Sequence, residues 1–347
     1  MTLGSRNLDR IEDTEMTQRT WAVVAAAVIV SVMFNPDTAR SQSAETGAVQ
    51  QTAWGRPDLQ GVWDFRTITP MERPEELGDQ AFLTAEEAAN LEQEVVDRNA
   101  RLLNEAARRT EAGGNVGAYN NFWMDRGTRT VDSRRTSLII DPPNGQIPPY
   151  TTEGQQRADA RTEYRQAHPA DSWADRSVGE RCVLGFNSGP PMEPRAYNNH
   201  MQIFQTSDYV VILNEMVHDA RVIPLVDAEA LPGTVTQWMG HSRGHWEDDT
   251  LVIHTTNFYN KNSFTERHGA TTGMRLVERF TRNDANTLVY QYTVDDAATW
   301  TSPWTVEVPM ARSDDQLWEY ACHEGNYGMD GILAGHRAEE REATEAQ

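Results

Sequence analysis

Polar and apolar residues alternate with a period of two over much of the C-terminal half of the chain. The runs HMQIFQT (200–206), DYVVILNE (208–215), ARVIPL (220–225) and TLVIHTT (250–256) show it, followed by RLVERFT (275–281), TLVYQYTV (287–294), WTVEVPM (304–310) and QLWEYA (316–321). Each is short, rich in β-branched or aromatic residues, and bounded by Asp, Asn, Gly or Pro, which predicts strands. QGVWDF (60–65) and TSLIID (136–141) read the same way, the second running into the turn PPNGQIPP, and RNDANT reads as a hairpin turn. Strands in sequence with short links predict a mainly β fold, either an up-and-down antiparallel barrel or a strongly curled meander.

One long stretch has helical periodicity instead. Over 84–111, Ala88, Leu91, Val95, Leu102 and Leu103 approximate one face, Thr84 is placed to cap the start, and Glu86 and Glu87 sit where the helix dipole favours acids. Gly113 and Gly114 stop it, giving a helical insertion at 84–112 that is expected to pack outside the sheet. A shorter helix is expected within 151–181, and a frayed, charged helix from 334 to the end. The loop GHSRGHWEDD, by contrast, is expected to lead as a turn into TLVIHTT.

The N-terminal 43 residues read as a signal peptide. Residues 1–20 carry charges of both signs, residues 21–34 (WAVVAAAVIVSVMF) are an uncharged apolar run, and small residues follow. That run is too short for a confident membrane span and has the length of a signal-peptide core. Met16 would supply a short basic start; an uncleaved anchor is the alternative. Residues 44–58 form a polar lead-in, and 59–345 a single β-barrel-like domain.

Composition narrows the partners. The 347-residue chain has a formal charge of −21. Such a surface repels phosphate backbones and anionic membranes, so neither nucleic acid nor a membrane beyond the export signal is expected as a partner. Lys261 is the only lysine and sits in a polar stretch, so neither a phosphate-binding GxxxxGK[ST] loop nor Schiff-base chemistry has support. No GxSxG, HExxH or EF-hand pattern occurs, and no cofactor or metal is expected. The two cysteines, Cys182 and Cys322, are expected to form a disulfide in an oxidising compartment, with two buried free thiols as the alternative.

Gly61-Val62-Trp63 opens the first strand, and Gly244-His245-Trp246 echoes it. A Gly-x-Trp at the start of a strand resembles the signature of lipocalin-like barrels, in which the tryptophan plugs one end. The segments PDLQGVWDF, SRRTSLIIDPPNGQIPP, GHSRGHWEDDTLVIHTTNF and WEYACHEGNYGMDGILAG, with ERC (180–182) and 197–225, also resemble a family of exported, uncharacterised bacterial proteins. The resemblance spans nearly the whole mature chain and implies export and a β-rich fold, but no particular activity. That family usually has aspartate where His241 stands, which tells against a metal role for His241.

Three clusters offer chemistry. Glu215, His218 and Arg221 lie at the junction of two strands, where an acid, an imidazole and a guanidinium suit a base, a shuttle and an anion clamp. Trp238, His241 and His245 form a candidate substrate-facing loop. His323 and Glu324 follow Cys322, whose disulfide would hold them rigidly. Glu278 shares a strand face with Leu276 and Phe280, and Tyr290 and Tyr292 with Leu288 and Val294, so a barrel interior with aromatic walls and a carboxylate is expected. Asn199 and Gln202 add polar contacts near the mouth. The expectation is an exported, cofactor-independent enzyme of lyase, isomerase, cyclase or hydrolase type acting on a small, largely apolar or oxygenated substrate in the barrel. His218 or His323 would transfer protons, Glu215 and Glu324 would orient or accept them, and Arg221 would clamp charge. The alternatives are a non-catalytic periplasmic carrier of an apolar ligand and a structural or interaction module. Charged groups converging in one cavity would favour the enzyme.

Overall fold

The alternating runs pair into antiparallel ladders. A computed structural model of the chain describes residues 49–104, 124–226 and 229–346. The expected signal peptide and the glycine stop of the insertion lie outside the described residues. The strands are β1 (Gly61–Asp64), β2 (Ile139–Asp141), β3 (His200–Gln205), β4 (Tyr209–Asn214), β5 (Ala220–Pro224), β6 (His241–Glu247), β7 (Thr250–Thr256), β8 (Arg275–Arg282), β9 (Thr287–Asp295) and β10 (Trp304–Ser313). Four helices, α1 (Ala85–Asn104), α2 (Thr152–Ala167), α3 (Ser263–His268) and α4 (Gly328–Glu345), accompany them.

The hydrogen-bonded order is β5-β4-β3-β1-β10-β9-β8-β7-β6, with β2 added on β10. Neighbours along this path follow chain order, except that β1 pairs with β3 across the omitted β2 and bridges to β10. The sheet is thus a curled meander whose first and last strands meet, and it is not closed into a barrel. β5 and β6 are its two open edges. All eight ladders along this path are antiparallel, so the ninth strand runs in the direction of the first. β5 and β6 are therefore parallel in direction, and the connection between them must cross back along the sheet. No ladder joins them among the described residues, yet they pack. A Cβ on Gly244 would lie 2.8 Å from Leu225 Cδ2 and 3.1 Å from Ile223 Cγ2, so β6 needs a residue without a side chain there.

The alternation predicted from the sequence sorts the residues as expected. Leu276, Glu278 and Phe280 of β8 and Leu288, Tyr290, Tyr292 and Val294 of β9 are all buried on one face. Trp63 is fully buried; its Nε1 donates to the Leu59 carbonyl at 2.9 Å. The Arg282 guanidinium lies over its ring, 5.5 Å from the centroid, at the end of the sheet where β8 turns into β9. Thr84 caps α1 in a reciprocal box with Glu87.

Four expectations need correction. The HSRGHWE segment is strand β6, not a loop: of its inward positions Ser242, Gly244 and Trp246, the two buried ones are small or polar, and only Trp246 carries an apolar signal. QLWEYA is not a strand: it runs on irregularly after β10, held by the Trp318 N bond to Glu215 and the Cys182–Cys322 disulfide, and Trp318 is left exposed. On α1 the buried residues are Ala88 and Val95, whereas Leu91 and Leu103 are exposed, and Glu92 lies between them to accept from Thr130 N and Oγ1 at 2.9 and 2.8 Å. The C-terminal helix begins at Gly328, six residues before the expected start.

The inside of the sheet is occupied by the chain itself. Residues 187–195 run across its inner face, burying Met192 and Glu193. Asn187 and Asn199 fix this segment. Asn187 Nδ2 donates to the carbonyls of Tyr197 and Asn198, and Asn199 Oδ1 accepts from Arg195 N at 2.8 Å.

Candidate functional site

Two carboxylates, Glu278 and Glu193, are almost completely enclosed at the inner face of the sheet. Glu278 on β8 receives both terminal nitrogens of Arg221 from β5, at 2.5 and 2.9 Å, and the Tyr290 hydroxyl donates to it at 2.8 Å. Tyr290 Oη in turn accepts from Met192 N at 3.1 Å. Burial first, and then the Glu278 charge, push the Tyr290 phenol well above its ordinary pKa, so it remains a donor. Every oxygen and guanidinium end in this cluster thus has a partner inside the protein.

Glu193 is the second. It is bound by Arg195 at 2.6 Å and by Arg267, and it lies 3.3 Å from both His268 Nε2 and Tyr292 Oη. Burial alone would raise its pKa, but His268, Arg267 and Arg195 outweigh burial and hold the carboxyl well below the usual range. Sequence reasoning missed Glu193. The signal was available: over 189–194 (GPPMEP) it is the one polar side chain.

Arg267 leads outward from Glu193 to a surface cleft of about 940 Å³. Phe186 and Tyr197 meet edge to face with centroids 5.2 Å apart, and Tyr320 stacks on Tyr197 at 6.2 Å, forming an aromatic wall. Met329 and Ile332 of α4 supply an apolar side. Glu266 on α3 and Arg165 on α2 face the same space. Glu266 accepts from Val178 N at 3.4 Å, and burial raises its pKa against the opposing pull of that bond and of Arg181, Lys261 and Arg165. A desolvated carboxyl beside aromatic rings and a guanidinium is a competent proton-transfer group.

The disulfide forms as expected: Cys182 is bonded to Cys322 across 140 residues. It ties the 318–327 segment, with Tyr320 and Glu324 at the cleft, to the body. Cys182→Ser/Cys322→Ser is expected to lower stability by about 2–4 kcal/mol. It should also free Tyr320 from the aromatic wall, read as faster proteolysis after residue 313. Unchanged proteolysis would show that the tail is held by other contacts.

The other sequence-predicted site residues do not converge. Glu215 is buried, but its partner is His200, 3.1 Å away, and it accepts from Trp318 N at 3.3 Å. His218 is exposed on a tight turn where Val217 and His218 both have positive φ, 59° and 43°. Asp219 on that turn accepts from Gly185 N and Ser188 Oγ at 2.9 and 2.8 Å, so the turn anchors the segment that enters the sheet. Arg221 points inward to Glu278, away from His218. His323 and Glu324 are exposed, and Glu324 alone of these two lines the cleft. Asn199 is a buried structural hub, and Gln202 alternates to the outer face of β3, because its neighbours Met201 and Ile203 point inward. His245 is exposed on the outer face of β6, with Nε2 3.1 Å from Glu247. Trp238 packs on Tyr259 and, with Trp173, flanks the Arg181 guanidinium; it lines a smaller cleft of about 560 Å³ at the β5–β6 opening with Arg221 and His241. The expected inner-face carboxylate and aromatics, Glu278 and Tyr290, are there. They face the chain's own segment, so the interior is not the substrate chamber expected from the sequence.

Comparison with known proteins finds no match among family models, curated proteins or solved structures. Among the described residues no helix is long and apolar enough to cross a membrane.

Proposed function

We propose that the chain is an exported enzyme that performs acid/base chemistry on a small, largely apolar, oxygenated substrate. The substrate binds in the cleft between α3, α4 and the disulfide-tethered tail. The lipocalin-like Gly-x-Trp device, in this reading, serves to make a rigid scaffold and not a ligand chamber. One observation carries the proposal: a single cleft brings together an aromatic wall, a partly buried carboxyl at Glu266 and guanidinium groups at Arg165 and Arg267. The rings would hold an apolar body by stacking and area burial. Protonated Glu266 would give its proton to a carbonyl or leaving oxygen, while the guanidiniums stabilise the negative charge that develops there. The disulfide and the resemblance to exported proteins support the location.

Glu266→Gln separates catalysis from folding. A raised carboxyl pKa means that the folded state binds the proton more tightly than the unfolded one. The group's contribution to stability is therefore greatest below pH 4.5 and declines as pH rises through the folded value. Removing the charge should leave stability at pH 7 equal or higher. Turnover, screened by mass spectrometry on small aromatic esters, lactones, epoxides and hydroxy-carbonyl compounds, should fall by about 10²–10⁴-fold. Undiminished turnover in the variant would remove Glu266 from the mechanism. Binding of a panel compound without conversion by the wild type would make the protein a carrier.

A further inference from the structure

The geometry points to a divalent transition-metal site, of the zinc class, formed by Asp171, His336 and Glu340. It lies apart from the cleft's reacting groups, and the inference does not rest on the enzyme reading. His336 and Glu340 are one helical turn apart on α4, which places them on the same face. Asp171 comes from the loop after α2. His336 Nε2 lies 3.3 Å from Asp171 Oδ1 and 3.5 Å from Glu340 Oε1, and the ligand atoms of all three residues lie within 4.8 Å of one another. Around a tetrahedral zinc with bonds of about 2.0–2.1 Å, ligand atoms stand about 3.3–3.4 Å apart. The two separations from His336 are close to that spacing, and the two carboxylates, within 4.8 Å of each other, would draw together on the ion.

A second layer of contacts makes this more than a cluster of surface charges. Both carboxylates have their other oxygen held by a neighbour. Asp171 Oδ2 is 2.6 Å from His168 Nδ1, and Glu340 Oε2 is 3.1 Å from Arg337 Nη1. His336 Nδ1 faces Glu339 Oε2 at 3.8 Å. Metal-binding histidines and carboxylates are usually oriented in this way, with one atom on the metal and the other held by a partner. The ligand set also selects the ion. One imidazole and two carboxylates suit zinc, whereas calcium takes six to eight oxygens. The fourth position is left to water or an added ligand.

The site would act on a helix that needs holding. α4 has no buried residue. Besides the disulfide that precedes it, it is docked by Arg337 Nη2, which donates to the Ala170 carbonyl at 2.9 Å, and by the His336 cluster. Met329 and Ile332, one to two turns before His336, line the large cleft. An ion bound between Asp171 and α4 would clip the helix to the body and fix that wall.

The test uses the untagged full chain, stripped with a chelator and titrated with zinc alone against a competing chromophoric chelator. One equivalent should bind, and cobalt(II) in its place should give intense visible bands of tetrahedral type. His336→Ala and the nearly isosteric Asp171→Asn should each abolish both signals, and His168→Ala should weaken zinc binding by about 10–100-fold. Zinc should also protect α4 from proteolysis in the wild type and not in Asp171→Asn. Absence of stoichiometric binding, or binding that survives both substitutions, would overturn the assignment and leave the group as an ion-pair cluster.

Discussion

Trp63→Ala should destabilise the protein by about 3–5 kcal/mol, measured by urea unfolding, as deletion of a large buried ring does. The indole is completely enclosed at the end of the sheet, and three kinds of contact depend on it. Its area is removed from water, its N–H satisfies the Leu59 carbonyl, and its face carries the Arg282 guanidinium. Arg282 also bonds the carbonyls of Asp58 and Ala285, so the loss would loosen the lead-in to β1 and the β8–β9 turn together. A phenylalanine at this position should recover part of the area but neither the indole hydrogen bond nor its shape. A loss under about 1 kcal/mol for alanine would show that the ring does not close the sheet.

Arg221→Met is expected to cost a comparable amount, about 3–5 kcal/mol at neutral pH, because it strands the Glu278 carboxylate in the interior with Tyr290 as its remaining partner. The double variant Arg221→Met/Glu278→Leu should recover most of this, since an apolar pair of similar volume avoids burying either charge. Equal stability of single and double variants at neutral pH would mean that the charge finds water when its partner is removed.

The strands were legible where both faces of the sheet impose different demands. TLVIHTT forms β7 over the same seven residues, and Glu278 was placed on the inner face by its alternation with Leu276 and Phe280. β6 was hidden because its two buried inner positions are Ser242 and Gly244, so a strand that presses against β5 through a glycine shows an apolar side chain inward only at Trp246. QLWEYA shows the converse: it alternates in sequence but pairs with no strand, and Trp318 is left in solvent. Site residues were harder to read because they depend on distant juxtaposition. Glu215 was visible, but its partner His200 lies on β3, not on its own turn. Glu266 belongs to a six-residue helix whose cleft is completed by residues from Arg165, 101 positions before it, to Ile332, 66 after it, and the tail is fastened there by the Cys182–Cys322 bond. Asp171 and His336 are likewise 165 residues apart, and no local motif announces them.

The odd number of strands around the sheet has a mechanical consequence. A ring of alternating directions with nine members carries one place where direction fails to alternate, and here that place faces the crossover between β5 and β6. The molecule therefore resembles a split collar more than a hoop. Among the described residues no backbone ladder joins its two lips; they meet by packing of Leu225 and Ile223 against Gly244, and an ionic latch crosses the split, Arg221 on one lip reaching to Glu278 two strands beyond the other. Strain applied to the collar would be relieved at the split, and the latch would set how far it opens.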